Sequence, residues 1–421
     1  MSPSVTASGY QHVVVSGSPY ERGTMHGKQA IEKIRTNIQR YKHSASSTLP
    51  NSDICATFIR NVYLPAIEKD FVAGLEEMRG IADGAEVDLS DIILLNARYD
   101  LARLQGTSKV GECTSMAYLQ DRGAEMDEVY VAQNWDMSSW LYDEDTIIVL
   151  ESHNPAADNE SSPSTIIALT EAGQLARSGM NSCGLGLCAN SLWSNEDASL
   201  EQPISESKPV LPFTLARRMF LECGNFAAGL KAVCSFPRHV SGNVIVGTRE
   251  GVAIDVELTP SSYFTLSPQV PLSLPGSSTS TILTHANHFV SPAMQSRPDI
   301  LDTYTGGSSL FRDRRLLGLV SKDLAIDEPP IVESPRDART IDSIKRAFAD
   351  HAGFPRSLCE HEDKGEQKYG AVTGNTMTVA SVIYDLQKLE MHICKGNPCC
   401  GTWITYRISK ERKGNVLGFK L

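Results

Sequence analysis

The chain contains the stretch Gly111-Glu112-Cys113-Thr114-Ser115, followed downstream by Gln133-Asn134-Trp135-Asp136. The hydrophobic periodicity changes at Cys113. Before it, apolar residues recur at three- and four-residue steps, which is typical of helices. After it, short apolar runs bounded by turn residues indicate strands. A cysteine at the start of a strand-rich region would act as a nucleophile if the chain were cut just before it, because its freed α-amino group, with an ordinary pKa of about 7.7–8, would activate the thiol.

The region before Cys113 is predicted to be mainly helical. Ile31, Ile34, Ile38 and Tyr41 form one apolar face of a helix that opens at Tyr20. A second helical region covers residues 54–81, and Pro65 is expected to kink or divide it. A third helix runs to Arg103 with Ser90 as its predicted N-cap. Residues 105–110 are polar, as expected of an exposed linker before a cut site.

The region after Cys113 is predicted to contain many strands. They cover residues 113–119, 129–134, 146–151, 165–170, 185–190, 243–246, 252–258, 376–384, 389–394 and 403–408. Helical patterns lie between them at 212–234, 309–319 and 341–352. Polar loops rich in Pro, Ser and acidic residues are expected at 154–164, 194–208, 260–280 and 322–339. Strands, then helices, then strands predict an α+β layered domain.

The bulk composition excludes several classes of protein. With 421 residues, 41% hydrophobic and 21% charged, the chain is long enough for one large core or two modest ones. A net charge of −11 argues against a nucleic-acid-binding protein, which needs a basic surface. No run of about 18 apolar residues predicts a membrane span, and residues 1–10 carry no secretory signal pattern.

The ten cysteines are too few for a disulfide scaffold, so reduced thiols in a cytoplasmic or organellar protein are expected. Cys394, Cys399 and Cys400 cluster near His392, but their spacing lacks the paired pattern of zinc sites, and no metal site is predicted. The terminal Phe419-Lys420-Leu421 partly matches the peroxisomal Ser-Lys-Leu signal. Cytoplasmic and peroxisomal locations both stay open.

Several segments, in order along most of the chain, resemble the fungal acyl-coenzyme A:isopenicillin N (6-aminopenicillanic acid) acyltransferase family of secondary metabolism. Its most specific part is Cys113-Thr114-Ser115 with Gln133-Asn134-Trp135-Asp136 at this spacing. The other matching segments are 77–85, 94–98, 170–173, 181–184, 285–288 and 382–385. This family belongs to the N-terminal-nucleophile hydrolases, which are made as inactive precursors and cut themselves before the nucleophile.

The resemblance implies a fold, a division of the chain and a processing step. The fold is the four-layer αββα sandwich of N-terminal-nucleophile hydrolases. Residues 1–112 would be a helical pro-segment that becomes the small α subunit, and residues 113–421 the nucleophile-bearing large β subunit. Cleavage between Glu112 and Cys113 would leave these two fragments associated as a heterodimer.

The resemblance also implies roles for single residues. Cys113 is the nucleophile, Asp136 orients the new ammonium or holds a backbone group, and the amide N–H of Asn287 stabilises the oxyanion. Further positions are implied to bind substrate: Thr114, Asn134, Glu171 and Asn375. His285 and His288 are assigned no chemistry.

Two positions depart from the family pattern. Glu112 stands where the family has glycine, so its side chain would crowd the turn at the cut site. Gly374-Asn375 stands where the family has a Ser-Arg pair of the substrate site, which predicts that penicillin precursors are poor substrates.

Three functions remain open from the sequence. The first is an N-acyltransferase that forms acyl-Cys113 from a thioester, such as acyl-coenzyme A, or from an amide, and passes the acyl group to a small-molecule amine. It requires no cofactor beyond this co-substrate. The second is an amidohydrolase that passes the acyl group to water. The third is a non-catalytic, single-chain binding or scaffold protein of the same fold.

Overall fold

The helices before Cys113 follow the predicted pattern with more interruptions. The structure, a computed structural model, describes residues 9–43, 49–105, 112–121, 126–158, 161–201, 208–268, 279–304, 306–325, 336–362 and 375–409. The helices are α1 (Pro19–Gln29), α2 (Ile31–His43), α3 (Ser52–Phe58), α4 (Leu64–Asp70), α5 (Val72–Ala85) and α6 (Leu89–Arg103), with a π-helical turn over Ile59–Tyr63. A π-helical turn stands directly before Pro65, which has no N–H to continue the regular helical pattern, and the region is divided at Phe71, whose backbone is not helical.

The predicted N-cap at Ser90 is wrong. Helix α6 begins at Leu89, and Asp88 holds the N-cap position with an extended backbone. The carbonyl of Asp88 accepts the first helical hydrogen bond, from the N–H of Asp91 at 3.0 Å. Asp and Ser are comparable N-cap residues, so the sequence alone did not distinguish two such positions two residues apart.

Two sheets form the centre of the molecule. In the described residues, one sheet has the strand order β1 (Gln11–Ser16), β4 (Ile147–His153), β5 (Thr165–Glu171), β6 (Ser178–Asn181), β7 (Leu185–Ser191), β8 (Gly242–Thr248), β9 (Val252–Leu258), β10 (Tyr263–Leu266). The other has the order β11 (Thr279–His285), β2 (Cys113–Asp121), β3 (Met126–Ser138), β12 (Thr376–Asp385), β13 (Glu390–Lys395), β14 (Trp403–Arg407). The predicted strands are confirmed, and β1, β6, β10 and β11 add to them.

Helices cover the outer faces of both sheets. The later helices are α7 (Trp140–Asp143), α8 (Phe213–Leu221), α9 (Phe226–Ser235), α10 (Pro292–Gln295), α11 (Ser308–Ala325) and α12 (Arg336–Phe348). The single helix predicted over 212–234 is two helices, because Asn225 caps a new start at α9. Helices α11 and α12 pack on the second sheet, while α8 packs on β6 and β7 of the first. The layers are helix, sheet, sheet, helix, which confirms the predicted αββα sandwich.

Residues on both sides of Cys113 share one core. Strand β1 pairs in parallel with β4, with Val13 opposite Leu150. Helices α1 and α5 approach so closely that a Cβ at Gly23 would lie 2.0 Å from the carbonyl oxygen of Glu77, which only glycine permits. The carboxylate of Glu77 is buried and receives Arg22 at 3.0 Å and Arg218, from α8, at 2.9 Å. The segment before Cys113 is thus integrated into the sandwich through a strand and a buried ion cluster.

None of the helices in the described part of the chain combines the length and the apolar character that crossing a membrane requires. The terminal Phe419-Lys420-Leu421 and residues 106–110 of the predicted linker lie outside the described residues.

Candidate active site

Cys113 lies at the first position of β2, between the two sheets. Strand β2 pairs antiparallel with β3, and Cys113 is opposite Trp135. Successive side chains of a strand point to opposite faces. Cys113 therefore faces the first sheet, where it meets Arg177, while Thr114 faces α11, where its Oγ1 accepts from Arg312 at 2.6 Å.

Both ends of the peptide bond between Glu112 and Cys113 are held by hydrogen bonds. The carbonyl oxygen of Glu112 accepts from the backbone N–H of Asp136 at 2.9 Å. The backbone N–H of Cys113 donates to Oδ1 of Asn287 at 2.9 Å. The three residues implied to be catalytic are thus brought together, and they surround the predicted cut site.

The thiol of Cys113 lies beside a buried guanidinium. Arg177 Nη2 is 3.1 Å from Sγ, and the same side chain donates to Oε1 of Gln133 at 2.6 Å and stacks over the Trp135 ring at 4.2 Å. Burial raises the pKa of the Cys113 thiol above its ordinary value, and Arg177 acts in the opposite direction. In the uncut chain the thiol therefore needs a proton acceptor to become a nucleophile.

The side chain of Glu112 is bound rather than crowded. Its Oε1 accepts from the Tyr304 hydroxyl at 2.5 Å, and its Oε2 contacts the Ser308 hydroxyl and Arg312 Nη2, the latter at 2.9 Å. Burial opposes the charge of Glu112, but Arg312, Ser308 and Tyr304 outweigh it and hold the pKa below its ordinary value. These contacts supply a site for a residue larger than glycine before the nucleophile.

Arg312 connects the parts of the site. It is fully buried on α11 and donates from Nη1 to the carbonyl oxygen of Cys113 at 2.7 Å. From Nη2 it also donates to Oδ1 of Asn287 at 2.9 Å. The amide Nδ2 of Asn287 donates to the Ser191 carbonyl at 3.0 Å. In the uncut chain the oxygen of Asn287 thus faces the cut site, and its N–H group, the implied oxyanion donor, is engaged elsewhere.

Asp136 and Glu360 are two buried carboxyl groups that interact. Thr378 joins them: its hydroxyl donates to Oδ1 of Asp136 at 2.6 Å and accepts from the N–H of Glu360 at 2.9 Å. Burial and repulsion from Glu360 raise the pKa of Asp136 well above its ordinary value. Burial and repulsion from Glu112 likewise raise the pKa of Glu360. Oδ2 of Asp136 has no hydrogen-bond partner among the described residues, which leaves it free to take a proton.

A narrow cavity of about 20 Å³ lies beside the thiol. Three guanidinium groups line it: Arg98, Arg177 and Arg217. Arg98 is paired with Glu171. Neither Arg177 nor Arg217 has an ion pair within the described part of the chain, and burial next to the other two arginines lowers the pKa of Arg217 to about 9. The cavity next to the Cys113 thiol is therefore suited to a small anionic group.

The implied substrate-binding residues differ in what they contact. Thr114 lies next to Cys113 and binds Arg312. The amide of Asn134 donates to the carbonyls of Phe348 and Leu358, which fixes the loop after α12 to β3. Glu171 accepts from Arg98 and from Tyr41 at 2.7 Å, so it joins the pro-segment to β5. Asn375 is exposed, and its carbonyl accepts from Ser139 N–H at 2.7 Å. Substrate binding by these four residues stays a prediction.

Sequence reasoning missed Arg177, Arg312 and Glu360. Arg312 lies in the run Phe311-Arg312-Asp313-Arg314-Arg315, where charges are the ordinary sign of a solvated helix face. Only the three-dimensional packing buries this arginine against β2. Arg177 follows the matching segment 170–173 in the sequence. This proximity was the one signal that could have pointed to Arg177. Of the two histidines without assigned chemistry, His285 is held by Glu257 at 3.0 Å and His288 by Ser309 at 2.7 Å.

Comparisons with known proteins identify the family of this chain. Residues 123–399 match the sequence family described as acyl-coenzyme A:6-aminopenicillanic acid acyl-transferase; this range contains Asp136 and Asn287 and begins after Cys113. The 40 kDa form of acyl-coenzyme A:6-aminopenicillanic-acid-acyltransferase from Emericella nidulans is 24% identical over 85% of this chain and 86% of its own length.

Solved structures of similar arrangement include an N-acylethanolamine-hydrolyzing acid amidase ortholog from Caenorhabditis elegans, with 10% identity and a TM-score of 0.39 over 65% of this chain and 93% of that one. Another is penicillin V acylase from Agrobacterium tumefaciens, with 13% identity and a TM-score of 0.35 over 67% of this chain and 83% of that one. The family match covers more than half of the chain. It identifies the chain as an enzyme that acts on acyl or amide groups. The chain belongs to the acyl-coenzyme A:6-aminopenicillanic acid acyl-transferase family.

Proposed function

We propose that this chain is a self-processing cysteine enzyme that cuts its Glu112–Cys113 bond and then works through an acyl-Cys113 intermediate. The observation that carries this proposal is the fixation of both ends of that bond. Asp136 N–H binds the Glu112 carbonyl oxygen and Asn287 Oδ1 accepts from the Cys113 N–H, with the Cys113 thiol beside Arg177. Such fixation of reacting groups is a main source of rate enhancement.

The cutting step is an acyl shift from nitrogen to sulfur. The Cys113 thiol gives up its proton, and Sγ forms a bond to the carbonyl carbon of Glu112. Negative charge develops on the Glu112 oxygen, where the N–H of Asp136 donates. The bond from carbon to the Cys113 nitrogen then breaks as that nitrogen takes a proton. Water hydrolyses the resulting thioester and releases a Glu112 carboxylate and a free Cys113 thiol and amine.

Cutting creates the α-amino group that serves as the base in turnover. The cutting step takes place before this group exists and requires another base. Asp136 is our candidate for the first step, since its Oδ2 lacks a hydrogen-bond partner in the described residues and its raised pKa makes its carboxylate a stronger base than usual. After cutting, the α-amino group of Cys113 takes over as base. Asn287 Oδ1, which now accepts from the Cys113 N–H, would hold that amine.

In turnover, Sγ attacks the carbonyl carbon of the acyl donor and expels its thiol or amine, which leaves with the proton. The acyl group then passes from Cys113 to the attacking amine, or to water in the hydrolytic alternative. Family membership favours transfer from a thioester of the acyl-coenzyme A type to a small-molecule amine. The cavity supports substrates that carry an anionic group near the acyl carbon, because Arg177 and Arg217 lack carboxylate partners there.

Intact-mass analysis of the purified protein tests the proposal. We expect two fragments, residues 1–112 and 113–421, and a single uncut chain for Cys113→Ala. Steady-state assays of the cut enzyme with an acyl thioester, with and without an amine acceptor, then separate transfer from hydrolysis. An uncut wild-type chain without activity would favour the non-catalytic scaffold. Normal cutting of Cys113→Ala would remove Cys113 from the processing step.

A further inference from the structure

Four soft donor side chains converge at a second place in the fold. They are His351, Cys359, His361 and Cys399, and their donor atoms all lie within 4.8 Å of one another. The first three come from the loop after α12, and Cys399 comes from the turn between β13 and β14. Two imidazoles and two thiols are the ligand set of many closed, structural zinc sites.

The distances fit a tetrahedral ion. His361 Nε2 lies 3.1 Å from His351 Nε2, 3.4 Å from Cys359 Sγ and 3.5 Å from Cys399 Sγ. Zinc bound at about 2.0–2.1 Å to nitrogen and 2.3 Å to sulfur sets its ligand atoms about 3.3–3.8 Å apart. Two thiolates would neutralise the charge of Zn²⁺.

The surroundings of the cluster support bound thiolates. Asn397 Nδ2 donates to Cys359 Sγ at 3.4 Å, and the backbone N–H of Cys399 also interacts with this sulfur. Such outer hydrogen bonds orient metal ligands and tune them. The loop is already shaped by its own backbone, since the N–H of His361 donates to the Pro355 carbonyl at 3.0 Å. We propose that His351, Cys359, His361 and Cys399 bind one structural Zn²⁺ ion.

The ion would fasten the loop to the β13–β14 turn at a point next to the active site. Glu360 stands between two of the ligands, and its carbonyl accepts from Thr378 N–H at 2.9 Å and from Asn397 Nδ2 at 2.6 Å. Through these two hydrogen bonds, zinc would hold the backbone at Glu360 in place. Metal binding at these residues does not depend on acyl chemistry at Cys113.

The sequence did not suggest this combination. The cysteines that stand out are Cys394, Cys399 and Cys400, and only Cys399 of them belongs to the cluster. The pairing of a loop near residue 355 with a turn near residue 399 depends on β12 and β13 lying side by side.

The test uses full-length protein without a histidine tag, reduced and reconstituted with Zn²⁺ alone. We expect about one zinc per chain by mass spectrometry of the metal. Replacement by Co²⁺ should give the visible bands of a tetrahedral site and a thiolate charge-transfer band in the near ultraviolet. Cys399→Ser should weaken zinc binding more than tenfold, since even outer contacts of metal sites contribute about 10–100-fold. The neighbouring Cys400 is also exposed and offers a matched control. The Cys400→Ser variant should bind zinc as the wild type does.

Three results would overturn the site. They are wild-type protein without zinc after reconstitution, a cobalt spectrum without tetrahedral or thiolate bands, and equal zinc affinity of the two serine variants. A disulfide between Cys359 and Cys399 in protein kept reduced would also overturn it. If Cys399→Ser proved unstable, the cobalt spectrum of the wild-type chain would still decide.

Discussion

The backbone N–H of Asp136 donates to the carbonyl oxygen of Glu112 at 2.9 Å, one position beyond the Cys113–Trp135 pair of β2 and β3. This places a donor on the oxygen that gains charge when Cys113 attacks its own preceding carbonyl. Because the donor belongs to the main chain, substitution of the Asp136 side chain leaves it in place. We expect Asp136→Asn to be cut more slowly, and such a defect would therefore report on the carboxyl group as a base.

The bound side chain of Glu112 leads to the first prediction. Glu112→Ala loses the contacts to Tyr304, Ser308 and Arg312, and leaves Arg312 buried without its carboxylate. We expect cutting to slow by about tenfold or more, because hydrogen bonds to charged groups contribute about 1.5–3 kcal/mol. The half-time of cutting is followed by intact mass, with the exposed Glu68→Ala as control. Faster cutting of Glu112→Ala would mean that the side chain hinders the turn.

The second prediction separates the two ends of the Asn287 amide. Asn287→Asp keeps an oxygen for the Cys113 N–H and Arg312 but loses the N–H group. We expect this variant to be cut, while turnover falls by about 10²–10³, the usual loss for an oxyanion donor. Asn287→Ala, which lacks both groups, should be impaired in cutting as well. Turnover of Asn287→Asp at the wild-type rate would exclude its N–H group from the oxyanion site.

The third prediction concerns pH. Burial raises the pKa of the Cys113 thiol, and burial with Glu360 raises the pKa of Asp136, so both reactive groups are protonated to higher pH than usual. The rate of cutting should therefore rise with pH through the neutral range. Arg177→Met should lower the rate at each pH about tenfold or more, since it removes a charged donor 3.1 Å from Sγ. Arg177→Lys should restore part of it, and the exposed Arg60→Met should change nothing. A rate independent of pH from 6 to 9 would contradict this assignment.

The fourth prediction tests the cationic cavity. Arg217→Met removes a buried guanidinium that has no carboxylate partner in the described residues. We expect KM to rise for an acyl donor with a carboxylate and to stay unchanged for its neutral amide analogue. The melting temperature should not fall, because the variant relieves repulsion with Arg177. Equal changes in KM for both donors would assign Arg217 to packing alone.

The sequence predicted the layered fold because strand and helix periodicities are local, and the family resemblance supplied Cys113, Asp136 and Asn287. It did not predict the partners that surround them. Arg177 and Arg312 are buried through contacts between segments that are distant in the sequence. A single sequence does not show whether an arginine is buried. Strand β11 was not predicted: Thr279 and Ser280 fell in the polar loop expected at 260–280, and pairing with β2 makes them the start of a strand.

The last prediction concerns the association of the two fragments after cutting. Glu77, from α5 of the pro-segment, is buried between Arg22 of the same segment and Arg218 of the nucleophile-bearing segment. Glu77→Gln would leave Arg22 buried without a carboxylate and Arg218 with Glu222 alone, and breaking a buried pair in this way costs about 3–5 kcal/mol. We expect the cut protein to melt several degrees lower and its fragments to separate at lower urea. Glu76→Gln, the next residue on the same helix, removes a half-exposed pair with Arg79 and should leave both measurements unchanged. Size-exclusion chromatography of the cut protein in urea measures the concentration at which the fragments separate. If this concentration is the same for the two variants, the Glu77 cluster does not hold the fragments together.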